Sequence, residues 1–201
     1  MKTKKFFFLI PILCTALCSL LVFTTLDYKI TDLFLRSLPS TPENPKVFMV
    51  NIDDYAIENI GTFPFTRNIY ADAVNVMNEC GVESAIFDLM FLEYQGRSVD
   101  ENDQIFDPDE ILTDALSNSN NITLASMFND DYELDDETFE EKGKIKNISS
   151  DNDTKTIDFY GAEAPIQDFL ENCDSTGFVN AFIDKDGYVR RLPLAVKFNN
   201  D

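Results

Sequence analysis

The feature that most constrains the fold is an uncharged, apolar segment near the N-terminus, residues 6–26. About twenty apolar residues are enough for one helical pass through a bilayer core. Lys2, Lys4 and Lys5 precede the segment, and basic residues keep the adjoining end inside the cell. A cleaved signal peptide begins in a similar way, but its apolar region is usually shorter and ends at a small-residue cleavage site. We therefore predict a cytoplasmic tail over residues 1–5, a transmembrane signal anchor over 6–26, and a periplasmic or extracellular domain over 27–201.

The formal net charge of −20 restricts the partners of the exported part. The 36 acidic residues outnumber the 16 basic ones, so the surface repels nucleic-acid phosphates and anionic lipid headgroups. We therefore expect no nucleic-acid partner. A cation or a basic partner is electrostatically compatible with this chain.

The histidine and cysteine content limits which catalytic groups, metal ligands and disulfides this chain can have. The chain has no histidine, which removes the commonest general base and the commonest metal ligand. Outside the apolar segment lie Cys80 and Cys173, which an oxidising compartment allows to pair. Their spacing along the sequence does not decide whether they reach bridging distance. We expect no catalytic residue, no metal site and no cofactor.

The first half of the exported part is typical of alternating strands and helices. Residues 27–38 have helical apolar spacing, and residues 46–52 form a short apolar run bounded by turn signals, which indicates a buried strand. Thr66 is a suitable N-cap for a helix that ends near Gly81. Residues 82–87 predict a second strand. A strand, a helix and a strand in this order favour a right-handed βαβ unit with parallel strands.

The second half begins with a strong helix start at Asp107-Pro108-Asp109-Glu110, where an N-cap Asp precedes a Pro at the first helical position. Residues 121–128 predict a third strand. Residues 129–155 are polar and acidic, which indicates a solvated, mobile insertion. A short strand near residues 157–160 and a brief helix over 165–173 follow.

The C-terminal region predicts an antiparallel hairpin over residues 176–194, turning at Asp184-Lys185-Asp186-Gly187. The fold class that follows is α/β. We expect a mixed sheet with βαβ units and this C-terminal hairpin, flanked by helices, after one N-terminal transmembrane helix.

Three carboxylates follow predicted parallel strands directly: Asp53, Asp54 and Asp88. Ligands in open α/β sheets bind outside the carboxyl ends of the strands, so these acids could converge on one crevice. There they could hold a divalent cation or act as acid and base. The alternative is that Asp53 and Asp54 form a turn or cap, and that Asp88 pairs with an arginine.

Three arginines could supply positive charge opposite these acids: Arg67, Arg190 and Arg191. Side chains alternate along a strand, so one of Arg190 and Arg191 should face inward and the other should face water. The inward arginine needs a carboxylate, and Asp53, Asp54 and Asp88 are the candidates. Recognition of an anionic ligand is the other interpretation. The candidate ligand-binding crevice comprises Asp53, Asp54, Arg67, Asp88, Asn180 and Arg190.

Three separated motifs carry a resemblance to a known family. They are Ile52-Asp53-Asp54 with Gly61, Phe63-Pro64-Phe65 and Arg67; Gly81-Val82 with Phe87-Asp88 and Phe91; and Gly177 through Arg191 with Pro193. In this order they resemble the second type of CHASE domain, over about residues 27–196. The family commonly has Trp in the aromatic-Pro-aromatic motif, whereas this chain has no Trp.

The resemblance implies an extracytoplasmic sensory input domain of a membrane-bound bacterial receptor of the cyclase or histidine kinase type. We expect an unknown extracellular or periplasmic signal and the membrane as partners, and a homodimer is compatible. Because the chain ends at Asp201 without a second apolar segment, we expect the input portion of a receptor, not an enzyme. The alternatives are a membrane-anchored interaction module without a small ligand, and a metal-dependent hydrolase using Asp53, Asp54 and Asp88.

Overall fold

The computed structural model describes residues 3–22, 26–40, 42–99, 102–134, 136–145 and 157–199. The chain forms two compact units. One comprises residues 1–51 with 185–187, and the other comprises residues 52–184 with 188–201.

The described residues of the first unit form two helices, α1 (Thr3–Val22) and α2 (Leu26–Ser37). The helix predicted over residues 27–38 is confirmed by α2. Within the described ranges, no helix has both the length and the apolar character needed to cross a membrane. The predicted transmembrane segment over residues 6–26 is therefore not supported by the structure.

The strand predicted over residues 46–52 is wrong. Val47, Phe48, Met49 and Val50 are 72% to 87% exposed, and none of them belongs to a strand. An apolar run forms a strand only where a neighbouring strand satisfies its backbone N–H and C=O groups. The sheets of the second unit are built from segments that come later in the chain.

A mixed sheet organises the second unit, with one long strand at its centre. The strands are β1 (Ala85–Phe87), β2 (Ser98–Val99), β3 (Ile105–Phe106), β4 (Ile122–Glu133), β5 (Asp158–Phe159), β6 (Gly161–Glu163), β7 (Ser175–Phe178) and β8 (Lys197–Phe198). The central β4 pairs in parallel with β1 and β7, and antiparallel with β6. Away from this sheet, β2 pairs antiparallel with β3, and β5 pairs in parallel with β8.

The predicted strands over residues 82–87 and 121–128 are confirmed by β1 and β4. They form a parallel pair with Ala85 opposite Ile122, and the helix between them is α5 (Pro108–Ser117). The mixed sheet and the strand-helix-strand order are therefore confirmed. The βαβ unit begins one strand later than predicted, at β1 instead of at residues 46–52.

The predicted C-terminal hairpin is wrong, although its turn forms. The Asp184 N–H donates to the Tyr188 carbonyl at 2.8 Å. Residues 179–196 contain no strand, and β7 pairs with β4 instead. After β7 the backbone stays hydrogen-bonded to β4, because the Val179 N–H donates to the Ser126 carbonyl at 2.9 Å. The arm before the turn therefore starts on β4, and it forms no strand ladder with the arm after the turn.

The other helices of the second unit are α3 (Asp54–Ile60), α4 (Arg67–Glu79), α6 (Glu137–Gly143) and α7 (Gln167–Asn172). The predicted helix after Thr66 is confirmed by α4, although the Thr66 side chain makes no capping hydrogen bond. Asp107 does cap α5, because its side chain accepts the backbone N–H groups of Asp109 and Glu110. The predicted helix over residues 165–173 is confirmed by α7.

The acidic region over residues 129–155 is more ordered than predicted. Strand β4 continues to Glu133, and α6 begins after Asp136, whose side chain accepts the Thr138 and Phe139 N–H groups. Phe139 is 1% exposed, so one large apolar residue anchors this otherwise polar helix in a core. Residues 146–156 of the predicted insertion lie outside the described residues.

Two apolar clusters hold the second unit together. The first includes side chains of α4, α5 and α7, and at its centre the Phe91 ring lies 5.5 Å from Tyr70 and 5.6 Å from Phe169. The second is smaller and joins Phe139 to Phe128 and Phe198. Three of these pairs, Phe91 with Tyr70, Phe91 with Phe169 and Phe139 with Phe198, are edge-on and add to the stabilisation that comes from burial alone.

Both cysteines of the second unit are free. Cys80 is exposed at the end of α4, and Cys173 is buried at the end of α7. Burial raises the pKa of the Cys173 thiol to about 11, and the nearby Lys142 ammonium only partly offsets this. The thiolate is the reactive form, so Cys173 is unreactive at neutral pH.

This difference predicts how the thiols react. In a chain with Cys14→Ser and Cys18→Ser, a thiol reagent at neutral pH should label Cys80 rapidly and Cys173 only after unfolding. Adding Cys80→Ser should leave the native protein unlabelled. Failure of both thiols to react in denaturant without a reductant would show a disulfide and contradict the structure.

Candidate functional site

The acids predicted to converge on one crevice are Asp53, Asp54 and Asp88, and they lie in different elements of the structure. Asp53 is the N-cap of α3, and its Oδ1 accepts the Ala56 N–H at 2.9 Å. Asp54 begins α3 and Asp88 follows β1, and both are exposed. In the described ranges, no group of three acidic or cysteine residues could hold a metal ion. The metal-dependent hydrolase alternative therefore gains no support from this part of the chain.

Arg67 lies at the start of α4, and its side chain is only 13% exposed. Its Nε lies 3.5 Å from Asp109 Oδ1, and its Nη2 donates to the Glu93 carbonyl at 3.3 Å. Its Cζ lies 4.5 Å from the centroid of the Phe91 ring. A buried cation is stable only with a counter-charge and hydrogen-bond acceptors, and these contacts supply both.

Asp109 is the carboxylate that Arg67 contacts, and it is buried. Its Oδ2 accepts the backbone N–H groups of Gln95 at 2.7 Å and Gly96 at 3.2 Å. Hydrogen bonds to an ionised acceptor are stronger than those between neutral groups. Oδ1 of Asp109 and Nε of Arg67 make no hydrogen bond in the described part of the chain. The two ions are therefore close without being joined by a hydrogen bond.

The loop at Gln95 and Gly96 is held from both sides. The Arg67 N–H donates to Gln95 Oε1 at 2.8 Å, while Asp109 accepts from the loop backbone. Gly96 has φ of +76°, a backbone conformation that costs glycine little. We name Arg67, Gln95, Gly96 and Asp109 the Asp109 cluster. It ties the starts of α4 and α5 to one loop.

A cavity of about 280 Å³ adjoins the Asp109 cluster. Its lining comes from the loop, from the starts of α5 and α7 and from the cap of α5: Tyr94, Asp107, Asp109, Glu110, Thr113 and Asp168. Desolvation raises the pKa of the Tyr94 hydroxyl, and the charge of Asp168 raises it further. That hydroxyl therefore stays protonated and can donate. With its carboxylates and hydroxyls, the cavity can bind a cation or a hydrogen-bond donor.

The Asn180 side chain hydrogen-bonds with the backbone of β4. Its Oδ1 accepts the Phe128 N–H at 2.8 Å, and its Nδ2 donates to the Phe128 carbonyl at 2.7 Å. The side-chain amide thus pairs with β4 as a strand residue would. It extends the contact between β4 and the segment that follows β7.

Arg190 and Arg191 split between inside and outside, as predicted. The Arg190 side chain is buried, and Arg191 is exposed. Arg190 Nη1 pairs with Asp184 Oδ2 at 3.0 Å, and its Cζ lies 5.2 Å from the centroid of the Tyr188 ring. The prediction that its carboxylate comes from the first half of the chain is wrong. Arg190 pairs with an acid six residues before it, at the turn.

Among the predicted site residues, Arg67 alone lies in the Asp109 cluster, and the sequence did not indicate Asp109, Tyr94 or Asp168. One signal was present for Asp109. The Asp107-Pro108-Asp109-Glu110 start carries more acids than a single N-cap requires. Asp107 alone is the cap, which leaves Asp109 for another role. No local pattern marks Tyr94 or Asp168, because they approach α5 only through the tertiary fold.

Comparison with known proteins identifies a family. The family model described as the CHASE2 domain matches residues 7–199, nearly the whole chain. Neither the curated proteins nor the solved structures include a match to this chain.

Removing the Asp109 carboxylate should destabilise the second unit. Asp109→Ala leaves Arg67 buried without its counter-charge, and it leaves the Gln95 and Gly96 N–H groups without their acceptor. We expect the free energy of unfolding to fall by about 3–5 kcal/mol. Urea unfolding followed by circular dichroism measures this loss.

The matched control is Asp114→Ala, which removes a less buried acid from the same helix. It should change the free energy of unfolding by no more than about 0.5 kcal/mol. Equal losses in the two variants would contradict a structural role for the Asp109 cluster.

Proposed function

The chain belongs to the CHASE2 domain family, the sensory domains of signalling proteins, and we propose that it is the extracytoplasmic input domain of a membrane-bound receptor. The observation that supports this role is the family match over residues 7–199. The role is reception, not catalysis, because CHASE2 is a sensory domain and not a catalytic one.

The acidic cavity beside the Asp109 cluster is the proposed ligand site. It is concave, and its lining residues come from separate segments of the second unit. A ligand that contacts Tyr94 would act on the loop whose next residue, Gln95, is bonded to Asp109 and Arg67. Reception requires only that the ligand bind one arrangement of this loop better than another. The support for the site is thus its position beside a buried, charged link between α4 and α5.

The proposed location follows from the N-terminal sequence. Residues 6–26 are uncharged and apolar and follow Lys2, Lys4 and Lys5, which supports attachment to a membrane with the N-terminus inside. The domain over residues 27–201 would then be periplasmic or extracellular. The proposed output is an adenylate cyclase or a histidine kinase within the same receptor, and a homodimer is the assembly in which a signal could change subunit geometry.

The reading frame beyond the codon for Asp201 tests this role. We expect it to continue into further apolar segments and a cyclase or kinase domain. In that protein, Thr113→Phe should fill the cavity and change cyclic-nucleotide synthesis or autophosphorylation, because Thr113 lines the cavity. Asp114→Asn, on the same helix, should leave the output unchanged.

Two results would contradict the proposal. A stop codon directly after Asp201 would exclude direct signalling by this chain. A full-length protein whose output is the same with Thr113→Phe as without it would exclude the cavity as the input site.

A further inference from the structure

Strand β1 lies at the end of the sheet, with one edge that no described strand covers. On its other edge it pairs with β4, where the Ala85 N–H donates to the Asn121 carbonyl at 3.0 Å. Successive residues of a strand direct their backbone N–H and C=O groups to opposite edges, so those of Ile86 point away from β4. The open edge therefore offers a hydrogen-bond donor and an acceptor to an incoming strand.

Residues 47–50, with the sequence Val-Phe-Met-Val, are an exposed apolar segment of the first unit. Their side chains are 72% to 87% exposed, and none of the four residues lies in a helix or strand. A run of exposed apolar residues is unfavourable in water and commonly marks a surface that a partner covers. β-branched and aromatic residues favour strands. The segment is therefore suited to pair with an open sheet edge.

The faces of β1 show what such a pairing would bury. Ala85 and Phe87 pack against the first apolar cluster, which includes side chains of α4, whereas Ile86 between them is 78% exposed. A strand beside β1 repeats this alternation, so two of the four side chains of residues 47–50 would lie on the side of α4. On α4, Val76 is 57% exposed and offers apolar surface for them to cover.

The charges near the segment and near β1 favour a parallel arrangement. With Met49 opposite Ile86, a parallel strand places Lys46 opposite Glu83, and both of these residues are exposed. Opposite charges across a strand pair stabilise it. An antiparallel strand with the same central pair would place Asp53 beside Glu83, and these like charges repel each other.

We propose that the β1 edge binds residues 47–51 of a second copy of this chain as a parallel strand, and that the two copies exchange these segments reciprocally. Within one chain the segment forms no strand. Each copy carries one edge and one segment, so a two-fold symmetric pair covers both edges and leaves neither open. This inference rests on the homodimer of the proposed function, because it names the surface through which the two subunits contact each other.

Cysteine cross-linking on the full chain in a non-ionic detergent tests the pairing. The starting chain has serine in place of its exposed cysteines, Cys14, Cys18 and Cys80. Into this chain we introduce Met49→Cys and Ile86→Cys together, because residues opposite each other in a strand pair lie within disulfide reach. After oxidation with copper phenanthroline, a non-reducing gel should show a covalent dimer.

The controls separate this contact from random collision. Chains with Met49→Cys alone or Ile86→Cys alone should give little covalent dimer. The matched control combines Ile86→Cys with Leu194→Cys, since Leu194 is an apolar residue that is 92% exposed. This pair should also give little covalent dimer.

Sedimentation in a density-matched non-ionic detergent measures the non-covalent dimer. Ile86→Pro removes an N–H that β4 does not use, so the fold should remain while the edge loses its donor. Lys46→Glu places like charges opposite each other. Each variant should shift the protein from dimer to monomer, and adding Glu83→Lys to Lys46→Glu should restore the dimer. Circular dichroism reports whether each variant is folded.

Four results would overturn the proposal. The unmodified chain could be a monomer in the detergent. The double-cysteine chain could remain unlinked, or it could form a cross-link within a monomer, which would show that the segment pairs with its own chain. A dimer that is unchanged by Ile86→Pro and by Lys46→Glu would show that the copies contact each other elsewhere.

Failure of this inference is distinguishable from failure of the sensory role. If the expected cross-link is absent but Thr113→Phe changes the receptor output, the contact surface is wrong and reception stands. If the cross-link forms as expected but Thr113→Phe leaves the output unchanged, the contact surface stands and reception at the cavity is wrong.

Discussion

A buried carboxylate, Asp109, links the start of α5 to the loop at Gln95 and Gly96 and to the start of α4. Its Oδ2 accepts two backbone N–H groups from the loop at Gln95 and Gly96, and its Oδ1 lies 3.5 Å from Arg67. Burying a charge is costly unless it is paired and hydrogen-bonded. The loop and the first turn of α4 must therefore stay close to the start of α5, because moving either would leave Asp109 or Arg67 uncompensated in the interior.

This constraint also gives the cavity its shape. Tyr94 lies in the loop that Asp109 holds, and Glu110 and Thr113 lie on the helix that carries Asp109. The same link supplies a physical route for a signal, since a ligand that moves Tyr94 acts on residues bonded to both α4 and α5. Coupling of this kind needs two arrangements of the loop with different ligand affinities. The missing hydrogen bond between Arg67 Nε and Asp109 Oδ1 identifies the contact that could differ between them.

Local signals in the sequence predict much of the fold and little of the site. The α5 start is readable because Asp107 and Pro108 act within one turn, and β1, β4, α4 and α7 are readable from short apolar patterns. Residues 46–52 show where prediction from local patterns fails, because an apolar run does not reveal whether a partner strand is present. Phe139 is a second example, since its ring is buried in a core although composition alone assigns this helix to solvent. The cavity brings together Tyr94 and Asp168 only in three dimensions, so spacing along the chain could not predict it.

The most direct measurement is amide hydrogen exchange at Gln95 and Gly96, which lie outside helices and strands. We expect both amides to exchange slowly in the unmodified protein, because the buried Asp109 carboxylate accepts their hydrogens. Asp109→Asn should accelerate their exchange more than that of amides within α4. Fast exchange of both amides in the unmodified protein would contradict the central role of Asp109.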